Sequence, residues 1–337
     1  MKIIIIGYGT VGQALTKILY EKEKQLFNKY GLRSNIVAVV DRGGAIISKT
    51  RLKYSTLMKA KASGTVASDP NFGKPGLKAL QVIEEEAADV VIELTPTNII
   101  DGEPGMSNIK SALTNKKNVI TTNKGPLVLA LITLIELARH NGVHLRFSGA
   151  VGGGLPVLNF AKKSLIGDRI ISIKGILNGT TNYILTRMAE AHISLETALK
   201  EAQLAGYAEA DPSYDLNGVD TACKLAIMSN WILDKNVKLK DINVSGILDV
   251  TLSNIKKIEK KGQTIKLVGS IDDEKIVVKP QTLSKNNPIC VDGVLNAVAF
   301  NMESAGEITL VGGGAGGVVT SSAILRDLIE IRRYTNS

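Results

Sequence analysis

A chain of 337 residues with 44% hydrophobic content is longer than one typical domain and can bury a large core, so two lobes are expected. The net charge is +9, but the lysines are spread along the chain and only 4% of residues are aromatic, which argues against the clustered basic, stacking surface of a nucleic-acid binder. No apolar run approaches the ~20 residues of a membrane span, and the two cysteines, Cys223 and Cys290, offer neither a disulfide framework nor a zinc spacing.

Met1-Lys2 leads directly into Ile3-Ile4-Ile5-Ile6, so no signal peptide and a cytoplasmic location are expected. Gly7-Tyr8-Gly9-Thr10-Val11-Gly12 follows, and then helical spacing with Leu15, Ile18 and Leu19 inward. This is G-x-G-x-x-G between a strand and a helix. Gly7 makes the turn, Gly9 lets the backbone approach a pyrophosphate, and Gly12 lets helix and strand pack closely. The next strand, Asn35 to Asp41, ends in Asp41-Arg42, where the adenosine ribose of a dinucleotide would lie. A carboxylate there suits the ribose hydroxyls of NAD and an arginine the 2′-phosphate of NADP, so both cofactors stay open. Lys59 is either a second cation for that phosphate or a solvated helix lysine.

Helical spacing over residues 55–61 and 76–86, a strand over 89–93, a helix over 107–115, a strand over 118–122, a helix over 126–140 and a strand over 143–147 continue the alternation. Residues 1–150 are therefore expected to form a dinucleotide-binding Rossmann domain, a doubly wound parallel sheet whose ligands bind beyond the carboxyl ends of the strands. The loops Glu93-Leu94-Thr95-Pro96-Thr97 and Thr121-Thr122-Asn123-Lys124-Gly125-Pro126 fall there. Lys124 is either a contact to nicotinamide ribose or substrate carboxylate, or a plain loop lysine. His140 and His144 have helical-ligand spacing, but Asn141-Gly142 should end the helix between them. With no histidine well placed as a base, proton transfer falls to lysine and carboxylate.

Gly149-Ala150-Val151-Gly152-Gly153-Gly154-Leu155-Pro156 is a glycine-rich loop that could hold an ion on its backbone or act as a hinge. Residues 151–302 read as a second, α+β domain. A strand over 170–177 leads through Asn178-Gly179-Thr180-Thr181-Asn182-Tyr183 into helices that continue to Trp231, and strands return over 265–270, 275–279 and 294–300. Gly312 to Gly317 opens a helix over 318–334, so the segment 303–337 is expected to return to the nucleotide-binding domain.

The densest chemistry lies in G-Y-A-E-A-D-P-S-Y-D-L-N-G-V-D-T-A-C-K, Gly206 to Lys224. Four carboxylates (Glu209, Asp211, Asp215, Asp220) and Lys224 precede the apolar run Leu225-Ala226-Ile227-Met228, which reads as an acidic loop entering a buried helix capped by Asn217 or Asp215. Asp220 and Lys224 then share a helix face, either as an ordinary i,i+4 salt bridge or as a proton-transfer pair. Cys223, beside them, reads as a small core residue.

Six motifs in this order, G-Y-G-T-V-G, T-T-N-K-G-P-L, G-A-V-G-G-G-L-P, I-L-N-G-T-T-N-Y-I-L, the Gly206 to Lys224 run and G-G-A-G, cover nearly the whole chain. Together they resemble the homoserine dehydrogenases, of the short type without a regulatory domain. The resemblance implies NAD(P)-dependent interconversion of L-aspartate 4-semialdehyde and L-homoserine, on the route to threonine, methionine and isoleucine. It implies a homodimer joined through the second, substrate-binding domain. By resemblance Gly9, Thr10 and Val11 face the cofactor pyrophosphate. Thr95 and Lys124 lie along the nicotinamide, Gly206 and Gly316 close over it, and Glu209 and Asp220 bind the substrate. Lys224 is the proton donor, with Lys124 a second lysine at the reacting oxygen, and Thr180, Asp211 and Asp215 line the pocket. A Na+ or K+ site would use the carbonyls of Val151, Gly153 and Leu155, but the family's usual glutamate is Ser148 here, and the usual proline of the last motif is Gly313. Another semialdehyde dehydrogenase would lack the Glu209 to Lys224 constellation, and a dinucleotide sensor would bind cofactor without turnover.

Overall fold

The computed structural model describes residues 1–334 and divides into two compact units, one of Met1–Ala150 with the segment from Gly316 onward, the other of Val151–Ala315. In the first, β1 (Lys2–Ile6), α1 (Thr10–Glu21), α2 (Glu23–Tyr30), β2 (Asn35–Asp41), β3 (Gly44–Ile47), α3 (Tyr54–Ala62) and β4 (Gly73–Pro75) are followed by α4 (Ala79–Glu85), β5 (Val90–Glu93), α5 (Gly105–Thr114), β6 (Asn118–Thr121), α6 (Lys124–His140) and β7 (Leu145–Arg146). The sheet order is β4-β3-β2-β1-β5-β6-β7, parallel from β2 to β7 with β3 and β4 antiparallel at one edge. Ile3 to Ile6 are at most 2% exposed, as an interior parallel strand covered on both faces requires. The chain winds outward from β1 to β2 and returns to β5, so the switch point lies between β1 and β5. Gly7 follows β1 there at φ +93°, and a Cβ on it would meet the Leu94 carbonyl at 2.7 Å.

The second unit contains α7 (Val157–Ser164), β8 (Ile170–Ile176), α8 (Gly179–Ala191), α9 (Leu195–Leu204), α10 (Ser213–Leu216), α11 (Val219–Ile232), β9 (Asn243–Val244), α12 (Leu252–Glu259), β10 (Gln263–Ile271), β11 (Ile276–Ser284), β12 (Leu295–Met302) and β13 (Gly306–Gly313). They form a sheet of order β13-β12-β8-β10-β11-β9, on whose β10 the helices α8, α11 and α12 pack. Two expectations need correction. Neither Asn217 nor Asp215 caps α11. Asp215 lies inside the separate turn α10, Asn217 ends that turn, and Gly218, at φ +80°, precedes Val219 with no side-chain cap. Nor does the returning segment start at residue 303, because β13 pairs along its full length with β12 and keeps residues 306–313 in the second sheet.

The return is made by α13 (Gly317–Tyr334), which packs on α1. Its Ile324, Leu328 and Ile331 are 0% exposed and share one core with Ile3, Leu15, Leu19 and Leu32. A buried polar contact fixes it further, since Ser148 donates its backbone N–H (3.0 Å) and hydroxyl (2.6 Å) to the two carboxylate oxygens of Asp327. Residues 335–337 of the expected returning segment lie outside the described residues.

Candidate active site

At the first unit's switch point, Gly9 stands before α1 in extended conformation and no side chain caps the helix. A Cβ on Gly9 would meet nothing within 4 Å, whereas one on Gly12 would lie 2.7 Å from the Gly7 carbonyl. Gly12 is thus required by packing, while Gly9 leaves open an approach to the N–H groups of Thr10, Val11 and Gly12, an N-terminus that favours anionic oxygens. Ser321 of α13 reaches the same turn, its Oγ lying 3.1 Å from the Val11 carbonyl and 2.6 Å from that of Gly317.

Asp41 is spent locally. Its Oδ1 accepts the Gly43 N–H (3.0 Å) and the Thr65 hydroxyl, and its Oδ2 accepts Lys61 Nζ (2.9 Å) and the Val66 N–H (3.1 Å). Burial pushes this carboxyl up, but the bonds from Thr65, Lys61, Val66 and Gly43 outweigh it and hold it below its ordinary range. Arg42 and Lys59 are exposed.

Sequence reasoning missed a hub below the loops after β5 and β6. Glu93, 1% exposed, accepts the backbone N–H (3.0 Å) and hydroxyl of Thr95 and the hydroxyl of Thr121 (3.0 Å). Asn123 donates to Thr95 Oγ1 (3.1 Å) and starts α6 by accepting the Gly125 N–H, which sets Lys124, half-buried, at the first position of that helix. Burial raises the Glu93 carboxyl above its ordinary range despite these donors.

In the second unit the residues around Lys224 converge. Lys224 Nζ donates to Asp220 Oδ2 (2.6 Å) and to the Leu177 carbonyl (2.6 Å), and both side chains of the pair are about 10% exposed. The Leu177 carbonyl also accepts Asn296 Nδ2 (3.0 Å). Asn178 Nδ2 donates to Asp215 Oδ1 (2.6 Å) and to the same Asp220 Oδ2 (2.9 Å). Burial raises the Asp215 carboxyl, the charge of Asp220 adds to this, and bonds from Asn178 and Thr180 oppose it. The Tyr214 hydroxyl lies 2.9 Å from Cys223 Sγ, and burial drives that phenol far up.

Thr180 links the turn at Gly206 and Tyr207 to this cluster, its hydroxyl lying 2.8 Å from the Tyr207 carbonyl while it also bonds Asp215. Glu209 is exposed, with its carbonyl accepting Gln203 Nε2 at 3.2 Å, and Gly206 turns the chain at φ +73°. Asp211, also exposed, accepts the Ser213 N–H at 3.1 Å, which holds its carboxyl below the ordinary range. In the Val151, Gly153, Leu155 loop the Leu155 carbonyl already accepts the Val157 N–H at 2.9 Å. Among the described residues no group of three or more acidic, histidine or cysteine side chains could hold a metal ion. Gly316, at φ +116°, opens the turn into α13. Among the described residues no helix is long and apolar enough to cross a membrane.

A Rossmann sheet with an open helix N-terminus and, in the other unit, a buried lysine bound to a carboxylate define the class of dinucleotide-dependent dehydrogenases. The family model described as homoserine dehydrogenase matches residues 156–329, and the homoserine dehydrogenase NAD binding domain matches residues 7–148. The chain is 43% identical to a homoserine dehydrogenase of Methanocaldococcus jannaschii, with 99% of each chain covered. It is 36% identical to an NAD(+)-dependent homoserine dehydrogenase of Pseudomonas canavaninivorans, covering 98% of this chain and 96% of that one. A hyperthermophilic archaeal homoserine dehydrogenase solved in complex with NADPH superposes with a TM-score of 0.87 at 28% identity, covering 99% and 98%. The chain belongs to the homoserine dehydrogenase family.

Proposed function

We propose that this protein interconverts L-aspartate 4-semialdehyde and L-homoserine with NAD(P)H, and that the Asp220–Lys224 pair moves the proton. In the reducing direction the carbonyl carbon gains a hydride and the oxygen a proton. The nicotinamide supplies the hydride when bound, and the chain must orient the aldehyde and deliver the proton. The carrying observation is Lys224 Nζ, fixed by Asp220 and the Leu177 carbonyl with a third hydrogen left to offer. Asp215 and Asp220 against one lysine leave an excess negative charge that suits the substrate ammonium, and Thr180, Glu209 and Asp211 are assigned to the same substrate. Gly7, Gly9, Thr10, Val11, Gly12, Thr95, Lys124, Gly206 and Gly316 are assigned to the cofactor.

NADP(H) is the preferred cofactor in this reading. Asp41 has spent its acceptors inside the loop, whereas the Arg42 guanidinium is exposed and has no hydrogen-bond or ion-pair partner among the described residues. Lys59 is a second exposed cation for the 2′-phosphate. A monovalent cation, Na+ or K+, is assigned to the carbonyls of Val151, Gly153 and Leu155, the last of which also accepts the Val157 N–H, and Ser148, bound to Asp327, does not supply the carboxylate that would strengthen such a site. A homodimer rests on the family resemblance and is checked by light scattering.

The test is L-homoserine oxidation by wild type and Lys224→Ala, followed through NADPH or NADH absorbance. Turnover should fall by two orders of magnitude or more in the variant while cofactor binding persists, as for loss of a proton-transfer group worth ~10²–10⁴-fold. A wild type that binds cofactor without oxidising homoserine would favour the sensor.

A further inference from the structure

Two stretches of chain some forty residues apart meet at one amide. Asn178 follows β8, caps α8, and faces α10 and α11. Its Oδ1 accepts the Thr181 N–H (2.8 Å) and hydroxyl (3.0 Å), so the cap fixes which end of the amide is oxygen. The nitrogen must then face the carboxylates, one N–H to Asp215 and one to Asp220. Asp220 Oδ2 therefore serves Asn178 and Lys224 together.

We infer that Asn178 is a positioning residue for proton transfer, its amide sharing Asp220 with Lys224 so that the lysine proton is held loosely enough to move. A neutral donor on a carboxylate takes up part of its charge and weakens its attraction for a second partner. Without that donor, more of the Asp220 charge would be left to Lys224, and the nearby Asp215 charge would lose one of its compensating bonds. Both changes hold the proton on the lysine more tightly. Among the described residues, the titratable groups that this unit sets near the pair include Asp215 and Tyr214 of α10 and Cys223 of α11, and the Leu177 carbonyl, which Lys224 shares with the amide of Asn296, is neutral.

In the oxidising direction neutral Lys224 would take up the hydroxyl proton of homoserine, while a bound oxidised nicotinamide would accept the hydride from the carbon. A tighter proton shifts the rising limb of kcat against pH to higher pH. The experiment compares wild type with Asn178→Ser and Asn178→Asp. Both can still cap α8, but the first lacks the donors and the second replaces them with charge. The limb should move up by about half to one pH unit in the serine variant and further in the aspartate variant. Circular dichroism and NADPH binding report on folding, and either variant alone suffices if the other fails to fold. If kcat falls by one factor at every pH and the limb stays in place, Asn178 is only a cap and the inference is overturned. The inference rests on proton transfer by Asp220–Lys224. An inactive wild type, or an active Lys224→Ala, removes that reading and this role with it. An active wild type, a dead Lys224→Ala and an unmoved limb remove the role of Asn178 alone.

Discussion

Asp41 and Arg42 are adjacent, yet their side chains are committed differently. Four donors saturate the carboxylate, and the guanidinium is exposed, with no hydrogen-bond or ion-pair partner among the described residues. If Arg42 meets a 2′-phosphate, Arg42→Ala should raise KM for NADPH by about tenfold to a hundredfold, the equivalent of one charge-assisted bond at about 1.5–3 kcal/mol. KM for NADH should change less than twofold in the same steady-state assay, and an equal loss with both cofactors would contradict the assignment. The sequence could not settle this pair, because Thr65 and Val66, which occupy Asp41, are more than twenty residues away. Asp220 and Lys224 were legible for the opposite reason, since an i,i+4 spacing on a helix predicts its own contact. The roles of Glu93 and Asn178 were not legible, because Thr121 reaches Glu93 across 28 residues and Asp220 reaches Asn178 across 42.

Among the elements, the long periodic ones were read from their pattern and the short ones were not. The two antiparallel edge strands β3 and β4 carry too few residues to show an alternation. β13 is exposed or half-exposed throughout, so its apolar signal is weak. The attachment of α13 was expected from its glycine entry, but the buried carboxylate that fixes it was not. Burial pushes Asp327 up to about 6 against the two bonds from Ser148. Between about pH 4 and 6 the folded chain therefore holds a proton that the unfolded chain has released. The resulting stability is complete below about pH 4 and lost as pH rises through about 6, a change on the order of 3 kcal/mol. Thermal melts should show wild type losing ground to Asp327→Asn as pH rises from 4 to 7. A constant difference across that range would refute the linkage.

For the molecule as a whole, the first unit is built from two separated stretches of chain. Its core includes Ile324, Leu328 and Ile331 beside Ile3, Leu15 and Leu19. A chain ending at Ala315 loses all three, and at about 2–5 kcal/mol for each large buried side chain removed this matches the ~5–15 kcal/mol stability of a typical domain. Such a chain should show no cooperative melt of the nucleotide-binding unit and no NADPH binding by calorimetry, whereas retention of both would make α13 dispensable. The same discontinuity sets a schedule during synthesis. The nucleotide-binding sheet leaves the ribosome early, but its closing helix comes only after residues 151–315, a wait on the order of ten to thirty seconds at ~5–20 residues per second. Throughout that interval α1 presents an uncovered apolar stripe, so the nascent chain is a natural client for chaperones until its last helix docks.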